Sequence, residues 1–244
     1  MNLLRGPLII EESCTFDLST LGLKIGDPIN VICVGGGGGG GGGAPGHTNY
    51  GGVATGGDGG SVDTPPTQGV WSSSVYGIPG ESGLGYGAGG GGGAGGSPQS
   101  TNDYKPGGGG GSGYANMKTV IIDNLKVQIT VGKCGAGGKG SDSSSNSSSS
   151  NYTGAQGSTG GTTYFGTYLS AIGGNGGYGG HSRIDNNDTG SVGSGGSGYN
   201  KGSAGTGSNG KGGKGADGFI PAEHFGVTAA KNITSRNGCV IIWY

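Results

Sequence analysis

Charge is scarce in this chain. Its 244 residues include 13 lysines and arginines against 14 acidic residues, which leaves a formal net charge of −1. A protein that binds nucleic acid or an anionic membrane carries a basic surface patch. We therefore expect no nucleic-acid partner. No apolar run approaches the roughly 18 residues of a membrane span, so we also expect no membrane insertion.

Cysteine, proline and histidine are few as well. The nine prolines argue against collagen, which is glycine-rich but needs abundant proline. The four cysteines lie far apart without a CxxC pair, and two of them lie in apolar runs, so we predict free thiols. The three histidines have no ligand spacing relative to these cysteines, and we expect no metal site. The cysteines are Cys14, Cys33, Cys134 and Cys239.

Catalytic motifs are also missing. No GxSxG elbow is present, and no acidic pair lies in a pocket-forming context. The stretch GTGSNGKG, residues 205–212, has phosphate-loop spacing, but Gly212 stands where the metal-binding serine or threonine belongs. We therefore expect neither an enzyme nor a cofactor. The first ten residues, MNLLRGPLII, make a poor signal peptide, so we expect synthesis in a host cytoplasm.

Glycine is abundant, and strand-like runs separate the glycine stretches. Glycine accounts for 69 of the 244 residues. Runs rich in valine, isoleucine and aromatic residues predict β-strands. The run 118–131 should break into two strands at the turn-type pair Asp123-Asn124. No amphipathic helical stripe of useful length is present. The predicted strands cover 28–34, 118–131, 162–172 and 238–244, with weaker candidates at 7–18 and 215–221 and one irregular helix at 221–233.

The glycine stretches repeat every three residues. Examples are Gly132, Gly135 and Gly138, and six separate runs share this period. A period of three fits a left-handed extended helix with about 3.1 Å rise per residue and no internal hydrogen bonds. Such helices can pack side by side and bond through their backbones, because bare glycine flanks allow close approach. The nine consecutive glycines, 35–43, would make about three turns.

A flexible linker is the alternative for the glycine stretches. The strand-like runs abut the glycine blocks directly, and a linker needs no period, so we favour the ordered helices. For organisation we expect N-terminal strands and an attachment region over 1–34, then a glycine-rich helix bundle with interleaved strands over 35–244. The two parts would form one continuous domain over 1–244.

Polar and aromatic residues gather where the glycine pattern is interrupted, and these places are predicted loops. Loops on a rigid scaffold are where binding residues concentrate, and tyrosine and tryptophan with serine and asparagine resemble the composition of a binding surface. The alternative is that the aromatic rings only cap the ends of the glycine bundle as small cores. The candidate ligand-binding residues are Trp71, Tyr76, Tyr86, Tyr104, Tyr152 and His181.

The chain has INVICV before a glycine block, then GGxGG segments, the stretch GGKGADG and a terminal GCVIIWY. This combination resembles the glycine-rich domains of bacteriophage tail-fibre and adhesin proteins. A related domain occurs in the ectodomain of some receptor tyrosine kinases. The resemblance covers about residues 15–244. It implies an all-β fold, a β-sandwich joined to a bundle of polyglycine type II helices, and loops at the bundle tip that contact a host surface. It carries over no catalytic residue.

From these features we expect a virion protein of a bacteriophage or phage-tail-like particle. Its partners would be a host cell-surface receptor, glycan or protein, and other tail or fibre proteins, and a homotrimer is an open alternative for its assembly. Two other functions stay open. One is a purely structural protein of the tail, baseplate or capsid surface; the less favoured one is an ice-binding protein.

Overall fold

The computed structural model describes residues 7–44, 54–61, 63–71, 74–95, 105–141, 152–182, 196–198, 200–205, 211–221 and 236–244. Within them lie a 3-10 helix, Leu18–Leu21, and thirteen strands. The strands are β1 (Leu8–Ile10), β2 (Cys14–Asp17), β3 (Pro28–Val34), β4 (Ala54–Thr55), β5 (Gly69–Trp71), β6 (Ser74–Tyr76), β7 (Ala115–Ile121), β8 (Lys126–Thr130), β9 (Tyr152–Thr153), β10 (Thr163–Phe165), β11 (Leu169–Ala171), β12 (His181–Ser182) and β13 (Cys239–Trp243).

Two four-stranded antiparallel sheets form the main body and confirm the all-β prediction. We call the sheet with order β1-β13-β3-β7 the inner sheet, and the sheet with order β11-β10-β8-β2 the outer sheet. The strands predicted at 28–34 and 238–244 are confirmed, and so is the break between β7 and β8. β1 and β2 divide the weak candidate at 7–18 into two strands.

Two strand predictions were wrong. The run 162–172 is not one strand but the hairpin β10–β11, because Gly166 adopts a positive φ of 51° and lets the chain turn. The candidate at 215–221 forms only an isolated bridge between Phe219 and Tyr86. Most of the predicted helix at 221–233 lies outside the described residues.

The two central strands of the inner sheet, β3 and β13, are buried on both faces over residues 31–34 and 239–242. Val31, Cys33 and Val240 point towards the outer sheet and join the main core. Val34 and Ile241, on the opposite face, pack in a second cluster with Tyr86 and Phe219. A strand that is buried on both faces must be apolar at successive positions, which explains why β3 and β13 read as continuous hydrophobic runs.

The outer sheet is buried on one face only. In β8, the buried residues Val127 and Ile129 alternate with exposed neighbours. In β10, Phe165 is fully buried, whereas the preceding residue, Tyr164, is 46% exposed. This alternation is what an antiparallel sheet with one solvated face requires. The solvent-exposed face of the sandwich is therefore the outward face of the outer sheet.

Strands of both sheets lead directly into glycine segments. β3 continues into 35–44, β8 into 132–141 and β11 into 172–180, while segment 154–161 leads into β10 and segment 105–114 into β7. Thr163, fully buried, joins these parts: its hydroxyl donates to Val34 O at 2.6 Å and accepts from Gly132 N at 2.9 Å. The sandwich and the glycine segments are consequently one continuous structure.

Segment 35–44, which we call the central segment, is surrounded by six other segments. Its N–H groups donate to antiparallel segments at distances of 2.8–3.0 Å, and the partner changes with a period of three. Residues 35, 38, 41 and 44 donate to 114, 111, 108 and 105; residues 36, 39 and 42 donate to 161, 158 and 155; residues 40 and 43 donate to 60 and 57. Gly37 donates to Arg236 O.

The carbonyl groups of the central segment follow the same period in the other three directions. They accept from parallel segments at 2.8–3.1 Å: residues 36, 39 and 42 from 174, 177 and 180; residues 37, 40 and 43 from 135, 138 and 141; residues 38 and 41 from 90 and 93. Nearly every backbone polar group of this buried segment is thus paired, as burial demands.

The six surrounding segments also bond to one another and close a ring, and each neighbour runs antiparallel to the next. In ring order they are 56–60, 87–94, 105–114, 172–180, 154–161 and 132–141. Representative bonds in that order are Gly60 N to Gly91 O, Gly110 N to Gly90 O, Gly111 N to Asn175 O, Gly157 N to Gly177 O, Ser158 N to Ala136 O and Gly59 N to Gly138 O. We call the central segment and this ring the glycine array.

The close spacing explains the nine consecutive glycines. A Cβ placed on Gly39 would overlap the carbonyl group of Ala136, and one placed on Gly38 would overlap that of Asn175. Each central residue faces another backbone in this way, so no side chain fits. In the ring only some positions face inward, and Lys133, Ala136 and Lys139, three residues apart, are exposed. The array therefore requires glycine throughout its centre and intermittently around it.

Both expected parts of the chain, 1–34 and 35–244, contribute strands to the inner sheet. The inner sheet contains β1 and β3 from the first part together with β7 and β13 from the second. β3 and β13 pair along five residues, from Asn30 opposite Trp243 to Val34 opposite Cys239.

Candidate binding site

The end of the glycine array farthest from the sandwich, which we call the tip, collects most of the candidate residues. Main-chain hydrogen bonds link the neighbouring segments at this end. They involve residues 44, 57, 94, 105, 139 and 180. Ala44 pairs with Lys105 in a bridge at its centre, and both are buried.

Tyr152 and His181 are brought together at the tip. β9 and β12 form a two-stranded sheet in which Tyr152 pairs with Ser182, and Thr153 pairs with His181. The Thr153 hydroxyl and His181 Nδ1 lie 2.7 Å apart and share a hydrogen bond. This bond orients the imidazole ring, which remains partly exposed. β9 directly precedes segment 154–161, and β12 directly follows segment 172–180.

Trp71 and Tyr76 belong to a second small sheet at the tip. β4, β5 and β6 form it, with Trp71 opposite Ala54 and Ser74, and Tyr76 opposite Gly69. β4 precedes segment 56–60, whereas Tyr152 and His181 lie beside segments 154–161 and 172–180. The two pairs of candidates therefore occupy different sides of the tip.

Tyr86, another of the candidate residues, does not lie at the tip. Its side chain is 5% exposed and packs against the inner sheet in the second cluster. Its hydroxyl donates to the Glu11 carboxylate at 2.5 Å. Burial raises the pKa of Tyr86, and the hydrogen bond to Glu11 raises it further. For this residue the packing alternative holds, because the ring fills the junction between sheet and glycine segments.

Tyr104 lies outside the described residues, immediately before Lys105. The serine-rich stretch 142–151 also lies outside them, as do residues 183–195.

Asp58 is the principal polar anchor beneath the tip, and the sequence analysis did not identify it. Its carboxylate accepts from Gly140 N at 2.8 Å and lies 3.0 Å from Lys139 Nζ. Its main-chain N–H donates to the Thr67 hydroxyl at 2.7 Å. The side chain thus ties segment 56–60 to segment 132–141 and to the turn that leads into β5. A single aspartate in a glycine run offers no sequence signal for such a role.

Among the described residues, no group of three histidine, cysteine, aspartate or glutamate residues could hold a metal ion. All four cysteines are free thiols, as predicted. Burial raises the pKa of Cys33 to about 12 and also raises that of Cys239, so neither thiol is a nucleophile at neutral pH.

No helix among the described residues combines the length and hydrophobicity needed to cross a bilayer. Comparison of the chain with models of protein families, with curated proteins and with solved structures gives no match.

Proposed function

We propose that the segments of the glycine array are polyglycine type II helices. The period-three alternation of hydrogen-bond partners supports this, because a helix with three residues per turn directs successive peptide groups at intervals of about 120°. Six neighbours around one centre follow naturally from three donor and three acceptor directions. The test is an experimental structure of the array, where we expect φ near about −75° and ψ near about +145°.

We further propose that this chain is a receptor-binding protein of a bacteriophage or phage-tail-like particle. The observation that carries the proposal is the placement of Trp71, Tyr76, Tyr152 and His181 at the end of a closely bonded array, opposite the β-sandwich. Aromatic residues on a rigid support lose little conformational entropy on binding. The resemblance to tail-fibre adhesins supplies the class of partner, a glycan or protein of the host surface.

Adsorption of particles to host cells tests this proposal. We expect Tyr152→Ala and Trp71→Ala each to reduce adsorption about tenfold or more, as loss of an interface anchor does. Particle assembly and the melting temperature of the isolated protein should change little. The matched control is Tyr164→Ala, which removes an exposed tyrosine from the opposite end of the molecule and should leave adsorption unchanged.

Two outcomes would count against the proposal. Equal effects of Tyr152→Ala and Tyr164→Ala would show that position at the tip is irrelevant. Loss of particle assembly with normal adsorption of the remaining particles would favour a purely structural virion protein.

A further inference from the structure

β7 is a long strand at the edge of the inner sheet, and among the described strands only β3 pairs with it. The strand spans seven residues, and 116–119 and 121 are exposed. Met117 is 70% exposed and Ile121 is 59% exposed. Natural proteins usually protect such an edge with charges, proline or a bulge, since it offers unpaired backbone groups to other chains.

The hydrogen-bond register shows which backbone groups of β7 do not bond to β3. Gly35 N donates to Tyr114 O at 2.9 Å, and Ile122 N donates to Asp27 O at 3.0 Å, at the two ends of the β3–β7 ladder. In an antiparallel pair, hydrogen-bonded positions alternate with non-bonded ones. Even-numbered residues of β7 therefore bond β3, and the N–H and C=O groups of Met117, Thr119 and Ile121 point away from the sheet.

The one charge on the strand does not guard this edge. Lys118 Nζ donates to Tyr168 O at 3.3 Å, and Asn116 Nδ2 donates to Ser170 O at 2.7 Å. The Asn116 side chain thus reaches β11 at the edge of the outer sheet, and the Lys118 side chain reaches the turn just before it. Among the described residues, none forms a main-chain hydrogen bond with the outward groups of Met117, Thr119 or Ile121.

We propose that β7 pairs antiparallel with β7 of a second copy and joins two inner sheets into one eight-stranded sheet. The two-fold axis passes Thr119, so that Thr119 faces its own copy and Met117 faces Ile121. Threonine pairs and apolar pairs across antiparallel strands are stabilising. Each opposed pair of outward residues would exchange two main-chain hydrogen bonds.

The neighbouring registers are less favourable. Centring the axis on Lys118 would set two like charges directly opposite each other, which is destabilising. Centring it on Met117 would press the partner strand against residue 114, where Tyr114 N already donates to Ile172 O at 3.0 Å. The register centred on Thr119 avoids both conflicts and lies farther from the glycine array.

The pairing has a geometric consequence. In each copy the array extends from the N-terminal end of β7, because segment 105–114 leads into that strand. An antiparallel two-fold pair therefore directs the two tips in opposite directions. This arrangement differs from a homotrimer with its tips together, and it does not depend on the function proposed for the tip.

Oxidative cross-linking of the full chain tests the register. The Cα atoms of a hydrogen-bonded antiparallel pair are about 5.5 Å apart, which a disulfide can bridge. We expect Thr119→Cys to form a covalent dimer under mild oxidation, beyond the background of the wild-type chain with its own cysteines. Met117→Cys is the matched control: two copies of residue 117 would lie about 13 Å apart along the strand and should not cross-link. The double variant Met117→Cys/Ile121→Cys should.

Sedimentation from micromolar to near-millimolar concentration tests the pairing without cysteines. The wild-type chain should show a reversible monomer–dimer equilibrium. Thr119→Lys should weaken it about tenfold or more, because two lysines then face each other. Gln128→Lys, on the exposed face of the outer sheet, should leave it unchanged. Thermal melting of each variant confirms folding. A wild-type monomer or trimer, an undiminished Thr119→Lys dimer, or equal cross-linking of Thr119→Cys and Met117→Cys would overturn the proposal.

Discussion

Substitution of Gly39 by alanine tests whether the central segment is packed or merely a tether. In the structure Gly39 donates to Ser158 O at 2.9 Å, and its carbonyl accepts from Gly177 N at 2.9 Å. A Cβ at this position would overlap the carbonyl group of Ala136. That group is backbone within a closed ring and cannot rotate away as a side chain can. The overlap can be relieved only by separating the central segment from segment 132–141.

The magnitude follows from the bonds that the separation would disturb. Gly135 N to Gly37 O and Gly138 N to Gly40 O, both 2.8 Å, flank the overlap on either side. A buried donor or acceptor left without its partner costs about 1–3 kcal/mol, so the loss of both bonds costs about 2–6 kcal/mol. For a chain of this length each kcal/mol lowers the melting temperature by about 2–4 °C. The expected decrease is therefore about 4–24 °C.

Calorimetric or spectroscopic thermal unfolding of the purified chain measures this effect. The control is Ser158→Ala, at the same level of the neighbouring segment with its side chain exposed, which should change stability by less than about 0.5 kcal/mol. A glycine in an unconstrained tether behaves differently, since alanine then stabilises by about 0.4–1 kcal/mol through the unfolded chain. An unchanged or raised melting temperature for Gly39→Ala would refute the packing argument.

Three further predictions concern the junction and the core. Thr163→Val keeps the shape of the side chain but leaves Val34 O and Gly132 N without their buried partner, and should cost about 2–5 kcal/mol in urea unfolding; a loss below about 0.5 kcal/mol would contradict this. Tyr86→Phe removes the hydrogen bond to Glu11 and should cost about 1 kcal/mol while host adsorption stays normal; weaker adsorption without destabilisation would instead assign Tyr86 to the binding site. Because burial raises the pKa of Cys33 from 9.0 to about 12, the unfolded chain loses this proton first, so stability is complete below pH 9 and declines from pH 9 to about 12. The slope should be about 1.4 kcal/mol per pH unit, and Cys33→Ala should reduce it; an equal slope in both proteins would contradict the assignment.

The strands were predicted correctly where both faces of the strand are buried. β3 coincides with the predicted 28–34 because both of its faces are buried over residues 31–34, so its successive residues there are apolar. The β10–β11 hairpin was missed although Gly166 lies in the middle of an aromatic run and is a signal for a turn. Its positive φ shows that the glycine is a conformational requirement there.

The binding candidates show where sequence reasoning stops. Trp71, Tyr152 and His181 follow or precede glycine segments at the tip, but Tyr86 has the same glycine-rich surroundings and is buried. What distinguishes it is the bridge to Phe219 and the contact with Glu11, which are long-range pairings. No local pattern encodes a partner that lies 75 residues or more away along the chain.

The amino-acid sequence alone determined the composition that forbids a side-chain core over much of the chain, the period of three, and the apolar strands that anchor the glycine segments. These are local properties, since they depend on which residues follow one another. Only the tertiary structure decided that segment 35–44 is the centre, which six segments surround it, and which aromatic residues are left at the tip. Glycine segments have no side chains to distinguish one neighbour from another. Their order in the ring is therefore set by the strands that continue into them and by the turns that connect them.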